Sequence, residues 1–385
     1  MAASDPHQLA PEGSTTLTRL VRIAIDARSA AETDAGRGRF LRGILTGLSR
    51  LDGDHEFLLY AREPWPSSVL DDRFVWRTFD APGLAWPLRA GAQMSASSEV
   101  GLASSSYALT APWRIPGAAI VHDFAPFHRG LKTPRGALLE RLTLPIAVRR
   151  CQALISISET TQRELVERFP AAAPKSTFAH PAADSLFSPE AGPDDEAILR
   201  RHGLRRPFAL ATGTLEPRKN LVRLIDAFTS LDERERRGWT LALAGASGWH
   251  TDTTFASVAA HADLVQTLGF VPDEELACLY RNAEVFCYVS LYEGFGIPVL
   301  EAMQSGTAVL TSSISSMPEV GGEAARYADP REVADIRRGL SELLGDEQLR
   351  ARCAAAGIAR AAGFDWTASA AKVLATLEGL AAAAQ

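Results

Sequence analysis

The stretch that decides the fold is Phe208-Ala209-Leu210-Ala211-Thr212-Gly213, which leads into Thr214-Leu215-Glu216-Pro217-Arg218-Lys219-Asn220. The first six residues form a short apolar run, typical of a buried strand. The residues after the loop favour an amphipathic helix, with an apolar face made by Leu221, Leu224, Ile225 and Phe228. A strand, a polar loop and a helix in this order form one unit of an α/β protein with a parallel sheet.

The same unit recurs on both sides of this stretch. Before it, the sequence predicts strands at 21–26, 55–62, 75–80, 118–123, 153–158 and 176–180, and helices at 135–150 and 159–169. After it, strands are predicted at 240–244, 264–270, 285–289 and 308–311, with Asp273 as an N-cap between two of them. The Gly/Ser-rich residues 91–106 are predicted to form an exposed loop.

The length of 385 residues exceeds what one hydrophobic core usually serves, so two domains are expected. Residues 188–195 hold two prolines and suit a linker. We therefore predict an α/β fold of two Rossmann-like domains facing each other across a cleft. The predicted boundaries are a flexible tail at 1–20, an N-terminal domain at 21–190, a C-terminal domain at 191–364 and a final helix at 365–385.

Composition and net charge limit which partners and which cellular compartment the sequence favours. The net charge of -6 argues against a general affinity for nucleic acid. The four cysteines have no C-x-x-C spacing, which favours a reducing cytosol over a disulfide framework or a zinc site. Neither a membrane span nor a secretory signal is evident, so a cytoplasmic protein is predicted, with any membrane contact peripheral.

The strongest functional signal is Tyr292-Glu293-Gly294-Phe295-Gly296-Ile297-Pro298-Val299-Leu300-Glu301-Ala302. Two glycines around a phenylalanine favour a turn that backbone can approach closely, and Pro298 suits the first turn of a helix. The free amides at the start of such a helix form an anion site. Glu293 precedes the helix and Glu301 lies inside it, so one carboxylate can face a sugar and the other a ribose.

The loop after the strand at 208–213 carries the second signal. Arg218 and Lys219 are adjacent cations at the carboxyl end of a strand, beside Asn220 as a helix N-cap, and this arrangement suits a diphosphate. Taken alone, Arg218 and Lys219 could also be solvent-exposed cations in a turn without a ligand. Their position after a buried strand favours the functional interpretation, because ligands of parallel sheets bind beyond the carboxyl ends of the strands.

With these motifs, the sequence resembles the family-four retaining glycosyltransferases of the GT-B fold, particularly bacterial polysaccharide mannosyltransferases. Glu293 and Glu301 match the paired-glutamate motif of that family, and Arg218 and Lys219 match its basic pair. The loop 36–40 resembles its N-terminal glycine loop, His122-Asp123 its His-Asp pair, and residues 316–320 its Leu-Pro-Glu-Val segment. The resemblance spans residues 21 to about 378, and it implies a last helix that crosses back to the first domain.

The resemblance also implies roles for residues. The catalytic candidates are His122, Glu293, Arg218 and Lys219. The candidates for donor binding are Gly36, Gly38, Gly213, Thr214, Arg218, Lys219, Phe270, Val271, Glu293, Gly294, Phe295, Gly296, Ile297, Val299, Leu300 and Glu301. Taken alone, His122 is more often a buried strand histidine, but its place at the end of the strand at 118–123 favours a role in the cleft.

The implied reaction needs no cofactor and no metal ion. Arg218, Lys219 and the helix amides would stabilise the leaving diphosphate, and the resemblance implies front-face attack by the acceptor. Asp52-Gly53-Asp54 is interpreted as a turn rather than a metal site. The expected partners are a nucleotide-sugar donor, best matched by GDP-mannose, and a glycan, lipid-linked or small-molecule acceptor.

Two alternatives remain open, and a third is disfavoured. A UDP- or dTDP-sugar could be the donor within the same fold. The chain could be a catalytically silent nucleotide-sugar-binding partner, which would need a broken motif, and none of the central residues is missing. A nicotinamide-linked dehydrogenase is disfavoured because the G-x-G-x-x-G fingerprint with its acidic partner is absent.

Overall fold

The computed structural model describes residues 19–32, 36–249 and 251–384. Its first sheet is seven-stranded, fully parallel, and ordered β3-β2-β1-β4-β5-β6-β7. Its strands are β1 (Arg22–Asp26), β2 (Glu56–Ala61), β3 (Phe74–Thr78), β4 (Val100–Ala103), β5 (Gly117–Val121), β6 (Ala153–Ser156) and β7 (Ser176–Phe178). The helices of this half are α1 (Arg28–Glu32), α2 (Gly36–Ser49), α3 (Ala85–Ser97), α4 (Pro134–Arg150) and α5 (Glu159–Arg168).

A second parallel sheet follows the predicted linker and is ordered β10-β9-β8-β11-β12-β13. Its strands are β8 (Phe208–Thr212), β9 (Thr240–Ala244), β10 (Val265–Gly269), β11 (Val285–Tyr288), β12 (Ala308–Ser312) and β13 (Arg326–Ala328). The helices are α6 (Asp195–Arg201), α7 (Leu221–Thr229), α8 (Glu233–Arg236), α9 (Asp252–Ala260), α10 (Asp273–Asn282), α11 (Ile297–Gln304), α12 (Met317–Gly321), α13 (Val333–Gly345), α14 (Glu347–Ala361) and α15 (Trp366–Ala383).

Burial explains why short apolar runs became strands. Every residue of β5, β8 and β12 is buried, as expected for parallel strands covered by helices on both faces. Both orders reverse beside the first strand of the sheet, and such switch points create crevices at the carboxyl ends of the strands. The predicted α/β fold of two parallel-sheet halves is confirmed.

The predicted exposed loop at 91–106 is wrong. Its first part completes α3, which buries Trp86, Ala90 and Met94 at a helical spacing of four residues. Its second part contains β4, which lies between β1 and β5 in the middle of the sheet. The prediction failed because β4 has only four residues, one of them glycine, and lies between serine-rich segments.

Three local predictions also need correction. The sequence of residues 34–39, Asp-Ala-Gly-Arg-Gly-Arg, predicts a loop before the first amphipathic helix, but residues 36–39 form the first turn of α2, and Asp34 and Ala35 lie outside the described residues. The N-cap of α10 is Pro272, and Asp273 is the first helical residue. Asn220 does hold the N-cap position of α7, but its amide donates to the carbonyls of Val289 and Pro330 instead of capping the helix.

The last helix crosses back to the first half, as predicted. On α2, an added Cβ at Gly43 would lie 2.3 Å from the Trp366 ring, and one at Gly47 would lie 2.4 Å from the Trp366 carbonyl oxygen. The two glycines therefore allow α2 and α15 to approach closely. Buried side chains of α15, such as Val373 and Leu377, join the same core cluster as Ile44 on α2.

The remaining predictions concern the tail, the thiols and the membrane. Residues 1–18 of the predicted flexible tail lie outside the described residues. All four cysteines are buried free thiols. None of the helices in residues 19–32, 36–249 and 251–384 is both long enough and apolar enough to cross a bilayer.

Candidate functional site in the cleft

A cavity of about 540 Å³ lies between the two sheets and is lined from both halves of the chain. The first half contributes residues at the start of α2 and at the end of β5, including His122 and Asp123. The second half contributes the loops after β8, β10 and β11. The cavity therefore lies at the carboxyl ends of the strands, where a parallel α/β fold binds its ligands.

Glu293 is the centre of a buried ionic cluster in this cavity. Its carboxylate pairs with Arg218 and accepts a hydrogen bond from Lys219 Nζ at 2.7 Å. The Tyr288 hydroxyl contacts both groups, lying 3.0 Å from Glu293 Oε1 and 2.5 Å from Lys219 Nζ. The predicted basic pair and the first predicted glutamate thus form one network.

Burial and charge oppose each other in this cluster. Burial would raise the pKa of Glu293, but Arg218 and Lys219 lower it to about 2, so the carboxylate stays ionised. Burial and the neighbouring Arg218 lower the pKa of Lys219, and Glu293 partly restores it. Arg218 also pairs with Glu216 at 2.7 Å, so the cluster contains two cations and two carboxylates. An incoming diphosphate would compete with these carboxylates for the cations.

Glu301 forms a second ionic cluster in the cavity lining. It pairs with Arg39 from α2 and accepts a hydrogen bond from the Tyr280 hydroxyl at 3.1 Å. Arg39 also pairs with Asp273. The Asp273 side chain therefore forms an ion pair and does not cap α10. Burial raises the pKa of Glu301, against the opposing effect of Arg39. This cluster joins the two halves of the chain across the cavity.

The turn at 292–296 fits tightly against the first half. The Gly294 carbonyl accepts hydrogen bonds from Ser158 Oγ at 2.7 Å and from Thr161 Oγ1 at 3.0 Å. An added Cβ at Gly294 would lie 1.9 Å from the His122 carbonyl oxygen. Gly296 has a φ of 113° and serves as N-cap of α11, whose first residues line the cavity. The helix start therefore faces the cavity, as the sequence predicts.

His122 is buried at the end of β5 and lines the cavity. Its Nε2–H donates to the Ser104 carbonyl at 2.8 Å. Burial and the nearby Arg37 lower the pKa of His122 to about 3, so the ring is neutral near pH 7. A neutral ring can position a hydroxyl group but holds no proton to donate as an imidazolium.

The cavity lining includes most of the predicted donor-binding residues. The members that reach it are Gly36, Gly213, Thr214, Arg218, Lys219, Phe270, Val271, Glu293, Gly294, Phe295, Gly296, Ile297 and Glu301. Phe270 is an apolar ring left 63% exposed at the cavity. Three candidates are not brought to the lining: Gly38 is buried in α2, and Val299 and Leu300 are buried in α11.

Other residues of the site were not predicted from the sequence. Arg37 and Lys132 line the cavity and both pair with Glu140 of α4. Arg39 and Tyr288 complete the two ionic clusters. Two of them could have been found from the sequence, because Arg37 and Arg39 lie within the loop that resembles the N-terminal glycine loop of the family.

Comparison with known proteins matches the second half of the chain, including Arg218, Lys219, Glu293 and Glu301, to a family. Residues 194–360 match the family described as Glycosyl transferases group 1. The O-antigen chain mannosyltransferase B of Escherichia coli is 35% identical over 216 residues, which are 55% of this chain and 57% of that protein. The serotype-specific mannosyltransferase WbdA of Escherichia coli is 29% identical over 267 residues, which are 66% of this chain and 32% of that protein.

The match to these relatives therefore spans only part of their length, just over half of the first and about a third of the second. Among solved structures, the sucrose-phosphate synthase of Thermosynechococcus elongatus superposes with a TM-score of 0.76 at 17% identity, covering 95% of this chain and 100% of that chain. That likeness extends over both sheets and shows the fold. The chain thus has the GT-B fold, and its residues 194–360 match the family of group 1 glycosyltransferases.

Proposed function

We propose that this chain transfers a sugar from a nucleoside diphosphate donor to an acceptor hydroxyl, with retention of anomeric configuration and without a metal ion. The observation that carries the proposal is the meeting of Arg218, Lys219 and the start of α11 at one cavity. These groups provide two cations and free amides for a diphosphate, which is the charge that a catalytic metal would otherwise neutralise.

The proposed chemistry follows from where charge develops. The bond between the sugar carbon and the phosphate oxygen breaks, which leaves positive charge on the sugar and negative charge on the diphosphate. The acceptor oxygen attacks from the face that the diphosphate leaves, and the diphosphate takes the acceptor's proton. Arg218 and Lys219 stabilise the leaving group, Glu293 orients the sugar hydroxyls, and neutral His122 positions the sugar.

Two more features support a nucleotide at the other end of the cavity. Glu301 can accept hydrogen bonds from the two ribose hydroxyls. The exposed ring of Phe270, after β10, offers an apolar face to the base. We further propose GDP-mannose as the donor, supported by the mannosyltransferase relatives and by the subgroup resemblance, a glycan or lipid-linked acceptor, and a cytoplasmic location with peripheral contact to the inner membrane.

A donor screen tests the enzyme and its donor together. Thermal shift over GDP-, UDP- and dTDP-sugars should show the largest stabilisation with GDP-mannose, because a bound ligand shifts the unfolding equilibrium. Sugar release with candidate acceptors then separates an enzyme from a silent binding partner. Turnover of UDP- or dTDP-sugars alone would overturn the donor, and tight binding without any release or transfer would favour the silent partner.

Chelation should leave the activity unchanged. In the described residues, no group of three or more His, Cys, Asp or Glu side chains is arranged to hold a metal ion, and Arg218 and Lys219 lie where the diphosphate is expected. We expect the same transfer rate in EDTA and in added magnesium or manganese. Loss of activity in EDTA with recovery on adding either ion would contradict the role given to the basic pair.

Glu301→Ala should act mainly on donor affinity. A ribose contact changes little as the sugar–phosphate bond breaks, so its loss weakens the bound donor and the transition state alike. We expect the donor KM to rise about tenfold or more, the scale of a lost hydrogen bond to a charged group, with a smaller fall in kcat.

The control for that change is Glu301→Gln, which keeps the side chain's shape and one acceptor oxygen. It should retain more of the donor affinity than Glu301→Ala. Steady-state kinetics over donor concentration measure both variants. A large fall in kcat at unchanged KM would show that Glu301 contacts the reacting centre instead of the ribose.

A further inference from the structure

Helix α4 presents an apolar face that no part of the described chain covers. Leu138, Leu139 and Leu142 are 59%, 40% and 62% exposed, and the first and last of them are among the most exposed large apolar side chains of the described residues. Residues 135, 138, 139, 142, 146 and 149 follow the spacing of one helix face. The leucines therefore form one patch along α4 rather than scattered exposures.

Basic side chains flank this patch. Arg135, Arg149 and Arg150 are exposed, and within the described chain none of their three side chains has a hydrogen bond or an ion pair. The acidic residue of α4 is Glu140, which pairs with Arg37 and Lys132 on the side of the cavity. The outer face of α4 thus combines apolar side chains with uncompensated positive charge.

The patch is continuous with the cleft at one end. Lys132, just before α4, lines the cavity, and Glu140 contacts Arg37 in the same wall. At the other end, Arg149 and Arg150 border a second cavity of about 460 Å³ together with Arg114. A helix of 17 residues is about 25 Å long, so the positive charge extends well away from the cleft mouth.

We propose that the outer face of α4 docks on a bilayer that contains anionic lipids. This α4 surface consists of Arg135, Leu138, Leu139, Leu142, Arg149 and Arg150. The leucines enter the boundary between headgroups and acyl chains, and the arginines contact the lipid phosphates. The inference gives a surface and a lipid class to the membrane contact proposed above, and it directs the cleft mouth toward membrane-bound acceptors.

Charge favours a membrane over a second copy of the chain. A symmetric dimer through α4 would bring the unpaired arginines of one copy against those of the other, which costs free energy unless acidic groups intervene. A surface of phosphate groups supplies the opposite charge along the whole helix. A bilayer also offers an apolar interior for the leucines, which an acidic protein surface would not provide.

Vesicle sedimentation tests the proposal on the full chain. Wild type should sediment with phosphatidylglycerol/phosphatidylcholine vesicles, and binding should weaken as salt increases, because salt screens exposed charges. It should sediment little with phosphatidylcholine alone. Arg135→Gln/Arg149→Gln/Arg150→Gln should reduce the partition coefficient about a hundredfold, roughly fivefold for each charge. Leu138→Ser/Leu142→Ser should reduce it as well.

The matched control is Arg234→Gln/Arg237→Gln/Arg352→Gln, which removes three exposed arginines of the second half and the same net charge. It should bind vesicles much as wild type does. Equal losses in this control and in the α4 variant would show non-specific attraction and overturn the proposal. Unchanged vesicle binding by both α4 variants would overturn it too, as would a dimer in solution that the leucine variant dissociates.

Donor turnover without vesicles separates this proposal from the proposed function. None of the substituted side chains on the α4 surface lines the cavity, so these variants should keep the donor KM and the rate of sugar release in free solution. Normal turnover with lost vesicle binding supports the docking surface. If turnover is absent in wild type while the vesicle results hold, the proposed function fails and the docking surface stands.

Discussion

Lys219→Ala should lower kcat about a hundredfold or more, the scale of losing a preorganised charge-stabilising donor. Lys219 Nζ lies 2.7 Å from Glu293 in a buried site where water screens charge poorly. Negative charge on the diphosphate grows as the sugar leaves, so this cation contributes more in the transition state than in the bound donor. Its removal should reduce turnover more than donor binding.

Two controls separate the loss of the Lys219 charge from the loss of its packing and from a change in the net charge of the chain. Lys219→Met keeps most of the buried stem and should lose as much turnover as Lys219→Ala. Arg223→Ala removes an exposed cation from the same helix region and should leave kcat near wild type. Circular dichroism checks folding, and steady-state kinetics measures kcat and KM. Near-normal turnover in Lys219→Ala would mean that the diphosphate is held elsewhere.

Gly294→Ala should abolish most of the activity while leaving each half folded. The new Cβ would lie 1.9 Å from a backbone oxygen at His122, which cannot rotate away. The turn must therefore move from the first half, which weakens the hydrogen bonds from Ser158 and Thr161 to the Gly294 carbonyl. Because Glu293 is the preceding residue, we expect a loss of about a hundredfold in kcat/KM, the scale of a 1 Å misplacement.

Gly379→Ala provides the matched control. Gly379 lies within α15, no atom is within 4 Å of the added Cβ, and alanine favours a helix. This variant should keep wild-type kinetics. Small-angle scattering and kinetics on both variants would check the result. Gly294→Ala with full activity would show that the two halves operate farther apart than the described arrangement.

The sequence predicted those features that are local. Strand, loop and helix signals lie within a few residues of each other, so the basic pair after β8 and the glycine turn before α11 could be placed at one edge of a sheet. Central strand β4 was missed because it is only four residues long, contains a glycine and lies between serine-rich segments. Its role depends on pairing with β1 and β5, which are distant in sequence.

Contacts between the halves could not be predicted from residue patterns. Arg39 meets Glu301 although 262 residues separate them, and this pairing depends on how two complete domains meet. Glu319 is a similar case. The resemblance placed it in a Leu-Pro-Glu-Val segment, but the structure shows its carboxylate accepting hydrogen bonds from the Glu159 and Thr160 amides at the start of α5 and from His180. The hydrophobic periodicity of the sequence does not predict such hydrogen-bond partners.

The return of α15 onto α2 has a consequence for synthesis. More than 300 residues separate the two helices, so the first half emerges from the ribosome well before the helix that covers α2 exists. Until then, the α2 surface around Gly43 and Gly47 stays open to water and to wrong partners. Closing so long a loop is slow, and the first half can finish folding only after the second half has been made.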